Sequence, residues 1–156
     1  MSRTGPATKS VRHGQAGVVG GLEVLAFGVL IFVAGGLLVA NAWAVVDAKM
    51  ATTAAAREAG RVYVEAPNDG EGMAAARTAA TDAVASYGRD PARLDLTRDA
   101  TRFARCQRIT FRASYQVPAI HLPFGMGFGH GVEVTARHSE IVDPLRTGLP
   151  AGGGCG

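Results

Sequence analysis

Residues 20–46 read GGLEVLAFGVLIFVAGGLLVANAWAVV, an apolar run broken by one carboxylate, Glu23. Residues 24–46 carry no charge, and Asn41 is their one strongly polar side chain. As a helix this stretch is roughly 34 Å long, enough to cross a bilayer core with some tilt. After Lys49 the pattern becomes amphipathic. In MATTAAAREAGRVYVEAP, the small or apolar residues Ala48, Ala55, Ala59, Val62 and Ala66 share one helical face. Arg57, Glu58, Arg61 and Glu65 share the opposite face, with Arg61 and Glu65 spaced as an i,i+4 ion pair. The spacing predicts one helix over about residues 20–66, roughly 70 Å by the helical rise. Pro67 ends it, because the residue before a proline is pushed out of the helical region.

A second, shorter helix is predicted in NDGEGMAAARTAATDAVASYG. Asn68 with Glu71 three residues later forms a variant of the capping box, and Gly88 is placed as the C-terminal stop. Met73, Ala76, Ala80, Val84 and Tyr87 make its apolar stripe. After Pro91 the period changes to two. RLDLT (93–97) alternates weakly, and QRITFRASYQV (107–117) alternates cleanly, with Ile109, Phe111, Ala113, Tyr115 and Val117 on one face. GVEVTARHSEIV (131–142) places Val132, Val134 and Ala136 together. The expected class is α+β: a long N-terminal helix, a short helix and a small antiparallel sheet with one wet face.

Charge assigns a direction to the apolar run. Residues 1–22 hold Arg3, Lys9 and Arg12 and no acid, and the rest of the chain is balanced. The positive-inside rule therefore places the N-terminus in the cytoplasm and the remainder outside. The predicted organisation is a basic leader (1–19), a transmembrane helix (20–46), its extracytoplasmic continuation (47–66), an α+β domain (67–146) and a flexible tail (147–156). The even charge of the main body excludes nucleic-acid binding by charge. A cleaved signal peptide competes with a retained anchor, since Ala40-Asn41-Ala42 and Ala42-Trp43-Ala44 both fit a cleavage site. The run is longer than a usual signal core and continues as helix, which favours the anchor. Gly36, Ala40, Ala44 and Ala48 lie four apart, a small face that lets membrane helices approach closely. Abundant alanine and glycine would produce the same spacing without such a role. Two cysteines, Cys106 and Cys155, are too few for a disulfide framework but enough for one bridge in an exported domain.

A basic leader, a glycine-rich stretch, a glutamate opening a hydrophobic helix, the extension AAAREAGR and then a small sheet domain together resemble the TadE-like proteins of tight-adherence (Tad) pilus systems, within the type IV pilin-like class. The likeness covers residues 14–66 best, with the strand region 109–143 adding a weaker match. It implies a pseudopilin or minor pilin, a single-pass membrane component of a pilus or related secretion machine. Its implied partners are membrane lipid, other pilin-like subunits, the assembly platform and a prepilin peptidase, and it needs no cofactor and no catalysis. Glu23 carries over as the residue that pairs with a neighbouring subunit's amine and sets register. The family's motif places Gly five positions before the glutamate; this sequence departs from it, with Val18 there and Gly17 six before, and the processing region that the resemblance implies covers Gly14, Gly17, Gly20 and Gly21.

The remaining chemistry is sparse. His121, His130, His138, Cys106 and Cys155 match no zinc-ligand spacing. GMGFGHG lacks the spacing of a phosphate loop, and no nucleophile or metalloprotease motif is present. The connection PAIHLPFGMGFGHG carries Ile120, Leu122, Phe124, Met126 and Phe128, which either form a contact patch or fold back over the sheet. That patch supports a second expectation, an extracytoplasmic binding module, secreted or tethered. Residues 89–112 hold seven arginines against three aspartates, which reads as a solvated face.

Overall fold

The computed structural model describes residues 16–118 and 131–152, with side chains from residue 23 onward. The elements run α1 (Ala16–Glu65), α2 (Asp69–Ser86), a 3-10 turn (Pro91–Arg93), β1 (Leu94–Arg98), β2 (Arg108–Val117) and β3 (Val132–Ile141). The fold is α+β, with a three-stranded antiparallel sheet in the order β1-β2-β3. Two compact units divide it, one ending at Val39 and the other beginning at Ala40.

In the second unit the amphipathic half of α1 supplies the inner wall of the core. Ala48, Ala51, Ala55, Ala56, Ala59 and Tyr63 are fully buried, and so are Ala76, Ala80 and Val84 of α2. β2 presents Ile109, Phe111, Ala113, Tyr115 and Val117 inward and Arg108, Arg112 and Gln116 outward, as its alternation requires. On β3 the expected trio is split: Val134 and Ala136 are buried, whereas Val132 at the strand's start is exposed. Tyr87 also leaves the expected α2 stripe. It is the C-cap residue, where the helix has already ended, and it faces outward.

The ends of the elements follow local chemistry. Asn68 caps α2, accepting from the Glu71 backbone N–H at 3.0 Å and donating to the Glu71 carboxylate at 2.7 Å. At the other end Gly88 adopts φ +68°, with Gly88 N–H on Ala85 O and Arg89 N–H on Val84 O. These two bonds are a Schellman motif, which needs a residue tolerant of positive φ. The C-terminal carbonyls of α1 are met by Arg146, which donates to Glu65 O at 2.6 Å and to Val64 O.

Part of the tail region, residues 149–151, lies against the core. Arg105 N–H donates to Pro150 O at 3.1 Å, Arg105 and Ala151 form a parallel bridge, and Leu149 packs on the core. A short core recruits whatever apolar surface lies near it, and backbone pairing holds the segment there.

Gly72 marks the tightest packing on α2. A Cβ there would stand 2.9 Å from Tyr63 Cδ2 and 3.3 Å from Ala66 Cβ. Helix propensity alone would make Gly72→Ala stabilising by about 1 kcal/mol, and overpacking costs about 1–3 kcal/mol. Gly72→Ala is therefore expected to lower stability or leave it unchanged, while Gly70→Ala, whose Cβ meets only Asn68 Oδ1 at 3.5 Å, is expected to be neutral or stabilising. Urea unfolding of both variants in detergent checks the contrast.

Candidate functional site

Between Glu23 and Val39, α1 is apolar on every side and almost wholly uncovered. Val24, Leu25, Phe27, Leu30, Ile31, Phe32, Leu38 and Val39 are all exposed. A helix that is hydrophobic all round is stable only when buried in a core or in lipid. None of this apolar window is buried within the chain, and its length and composition suffice to cross a membrane. It is compatible with a single-pass membrane anchor. Glu23 is exposed at the start of this stretch and makes no hydrogen bond or ion pair among the described residues. Gly17, Gly20 and Gly21 fall within α1, and Gly14 lies outside the described residues.

The four-residue spacing of small side chains has two fates. Gly36 and Ala40 are exposed, and a Cβ on Gly36 would meet nothing within 4 Å. Ala44 is half-buried and Ala48 is fully buried in the core of the second unit. Ala48 thus serves the chain's own packing and is closed to another helix.

Where the apolar run ends, arginine fastens α2 to α1. The Schellman turn sends Arg89 back toward α1, where its Nε donates to Asp47 Oδ2 at 2.8 Å. Its Nη2 donates to the Ala44 carbonyl at 2.7 Å, and its guanidinium lies 5.8 Å from the Tyr115 ring centre. The Arg89 side chain is only 15% exposed, whereas Asp47 is 40% exposed, so solvent screens the ion pair in part. Nearby Lys49 donates to the Thr135 carbonyl on the free edge of β3.

At the other end of the core, Tyr63 joins three elements. Its ring meets Phe103 at 5.0 Å and Phe111 at 5.3 Å, both edge to face. Its hydroxyl donates to Asp69 Oδ1, and Arg98 Nη1 donates to the same carboxylate at 2.9 Å and to the Tyr63 oxygen. Burial, reinforced by the hydrogen bond to Asp69 and opposed by Arg98, raises the Tyr63 pKa well above its ordinary value. The sequence pattern marks no role for Tyr63 or Arg146, and it reads Arg89 and Arg98 as part of the solvated arginine-rich stretch 89–112, whereas both are little exposed and paired with a carboxylate. Their partners lie 6 to 82 residues away, and only the 6-residue step from Tyr63 to Asp69 was near enough to read.

Cys106 is disulfide-bonded and sits at φ 61°, in a turn closed by Gln107 N–H on Ala104 O. Cys155, the chain's other cysteine, lies outside the described residues. So do Ile120, Leu122, Phe124, Met126 and Phe128, together with His121 and His130. His138 is paired with Glu140 at 2.7 Å, beside Gly60 of α1. Compared with known protein families, curated proteins and solved structures, the chain matches none.

Arg89→Ala removes bonds to a carboxylate and a helix carbonyl and is expected to destabilise the second unit by about 1.5–3 kcal/mol. Arg89→Lys, which keeps charge but loses the fork, should recover only part of this; chemical unfolding at neutral pH reads both. For Tyr63 the folded state holds the phenolic proton at pH values where the unfolded chain has lost it. Stability is then fully present below about pH 10 and declines above it. Tyr63→Phe is expected to flatten that alkaline decline, measured as unfolding midpoints from about pH 8 to 11.

Proposed function

We propose that this chain is a membrane-anchored structural component of a pilus or a related secretion machine, of the TadE-like pseudopilin or minor-pilin kind. One observation carries the reading: a single helix, α1, is uncovered and apolar in its first half and forms the wall of a small α+β core in its second. Glu23 stands at the mouth of the apolar half. A carboxylate at the edge of lipid is costly unless paired, and a neighbouring subunit's free amine would pair it. In this reading Glu23 sets register between subunits, and Gly36 and Ala40 offer the close-approach surface that Ala48 does not. The basic leader lies in the cytoplasm and the α+β unit outside.

Retention of the helix is supported by its continuity. Both candidate signal-cleavage sites lie inside α1, and the Ala44 carbonyl at one of them is held by Arg89. The alternative of a secreted module therefore requires cutting within an ordered helix.

The test is the mature N-terminus, found by mass spectrometry of protein from its native membrane, followed by Glu23→Ala. Cleavage between residues 14 and 21, with the variant inserting normally but losing subunit cross-links, is the expected result. Cleavage after Ala42 or Ala44 would remove the anchor and with it this function.

A further inference from the structure

Within the second unit, α1 carries an apolar strip that the folded core leaves bare. Trp43 is 73% exposed and Met50 57%, with Val46 between them on the same face. Immediately beside it lies a shallow groove lined by Lys49, Met50, Thr53, Ala54, Arg57 and Tyr87. Lys49, Thr53 and Arg57 are four apart and form one ridge, two cations on either side of a threonine whose hydroxyl donates to the Lys49 carbonyl at 2.7 Å. No carboxylate lines the groove. Asp47 is occupied by Arg89, and Glu58 by Arg61 at 2.9 Å. Arg57 makes no ion pair or hydrogen bond among the described residues. Lys49 donates to the Thr135 carbonyl, which leaves two of its three ammonium hydrogens for another acceptor.

Depth follows from covalent geometry. The uncharged run ends at Val46, so Lys49 lies roughly 4–5 Å beyond it along the helix, Thr53 about 10 Å and Arg57 about 16 Å. The headgroup layer is about 5–7 Å thick on each side of the hydrocarbon. Side chains on a helix tilt toward its N-terminus, so Thr53 and Arg57 lean back toward the apolar run. A long arginine side chain extends that reach.

We propose that this ledge binds the phosphate of an anionic glycerophospholipid, with an acyl chain lying along Trp43, Val46 and Met50. The proposal rests on the membrane-anchor reading. Charge complementarity selects the headgroup, and continuity of the bare strip with the apolar run selects lipid over a soluble phosphate. Bound lipid would set the height of the α+β unit on the bilayer surface.

Trp43 is the chain's single tryptophan, so its fluorescence reports the strip directly. The full chain is reconstituted in phosphatidylcholine vesicles containing a minor fraction of phosphatidylglycerol, with one or the other lipid brominated to quench Trp43. The expected result is enrichment of the anionic lipid around Trp43 over its bulk fraction, about fivefold for each basic side chain engaged. Arg57→Gln, which breaks no bond in the fold, should reduce that enrichment, and Lys49→Gln with Arg57→Gln should abolish it. Quenching by each lipid in proportion to its bulk fraction, or enrichment unchanged in both variants, overturns the proposal while leaving the anchor intact. Quenching by neither lipid overturns the anchor reading and this site together. Loss of enrichment on adding millimolar glycerol phosphate would assign the ledge to soluble phosphate and overturn the lipid.

Discussion

The sheet can come close to α1 because the helix presents almost nothing but small side chains to it. Ala48, Ala51, Ala55, Ala56 and Ala59 are fully buried, and at Gly60 an added Cβ would press on Glu140 at 3.2 Å. Alanine loses no side-chain entropy on burial, but each one removes little apolar area from water. The hydrophobic gain is therefore concentrated in a few large groups, Tyr63, Phe111, Ile109 and Val84. Tyr63 fills the space that the alanines leave, which is why α2 carries a glycine opposite it.

A core this shallow leaves the ends of its elements to be held by charge and hydrogen bonding. Three arginines do so, each from a different part of the chain. Arg89 returns from the end of α2 to Asp47 and Ala44, Arg98 from β1 to Asp69 and Tyr63, and Arg146 from the C-terminal segment to the last carbonyls of α1. They differ in kind from Arg108, Arg112 and Arg137 on the wet face of the sheet. There Arg112 stands directly opposite Arg137 across the β2–β3 register, an arrangement tolerated because water solvates both.

α1 changes character within one run of hydrogen bonds. Its first half has no polar stripe and its second half has a sharp one, and the change falls within about two turns around Asp47. Around that change lie the exposed Trp43, Lys49 and Met50, while Arg89 is turned inward onto Asp47 and the Ala44 carbonyl.

The sequence alone determined the elements and their boundaries where local rules act. The apolar run, the alanine face, Pro67 as a stop, the Asn68 cap, Gly88 at positive φ and the period-two alternation of β2 all depend on neighbours within one or two turns or strands. The α+β class followed from them. Glu23 and Gly36 were conspicuous for the same reason, as polar or small groups in an apolar text. Tertiary structure decided what distance in the chain conceals. It gave Ala48 to the core rather than to a helix partner, turned Val132 and Tyr87 outward, and laid residues 149–151 against the core. It also chose Arg89, Arg98 and Arg146 from an arginine-rich background in which nothing local set them apart. Their partners are defined by geometry in space, and a guanidinium's reach toward a carbonyl dozens of residues away leaves no periodic trace in the sequence.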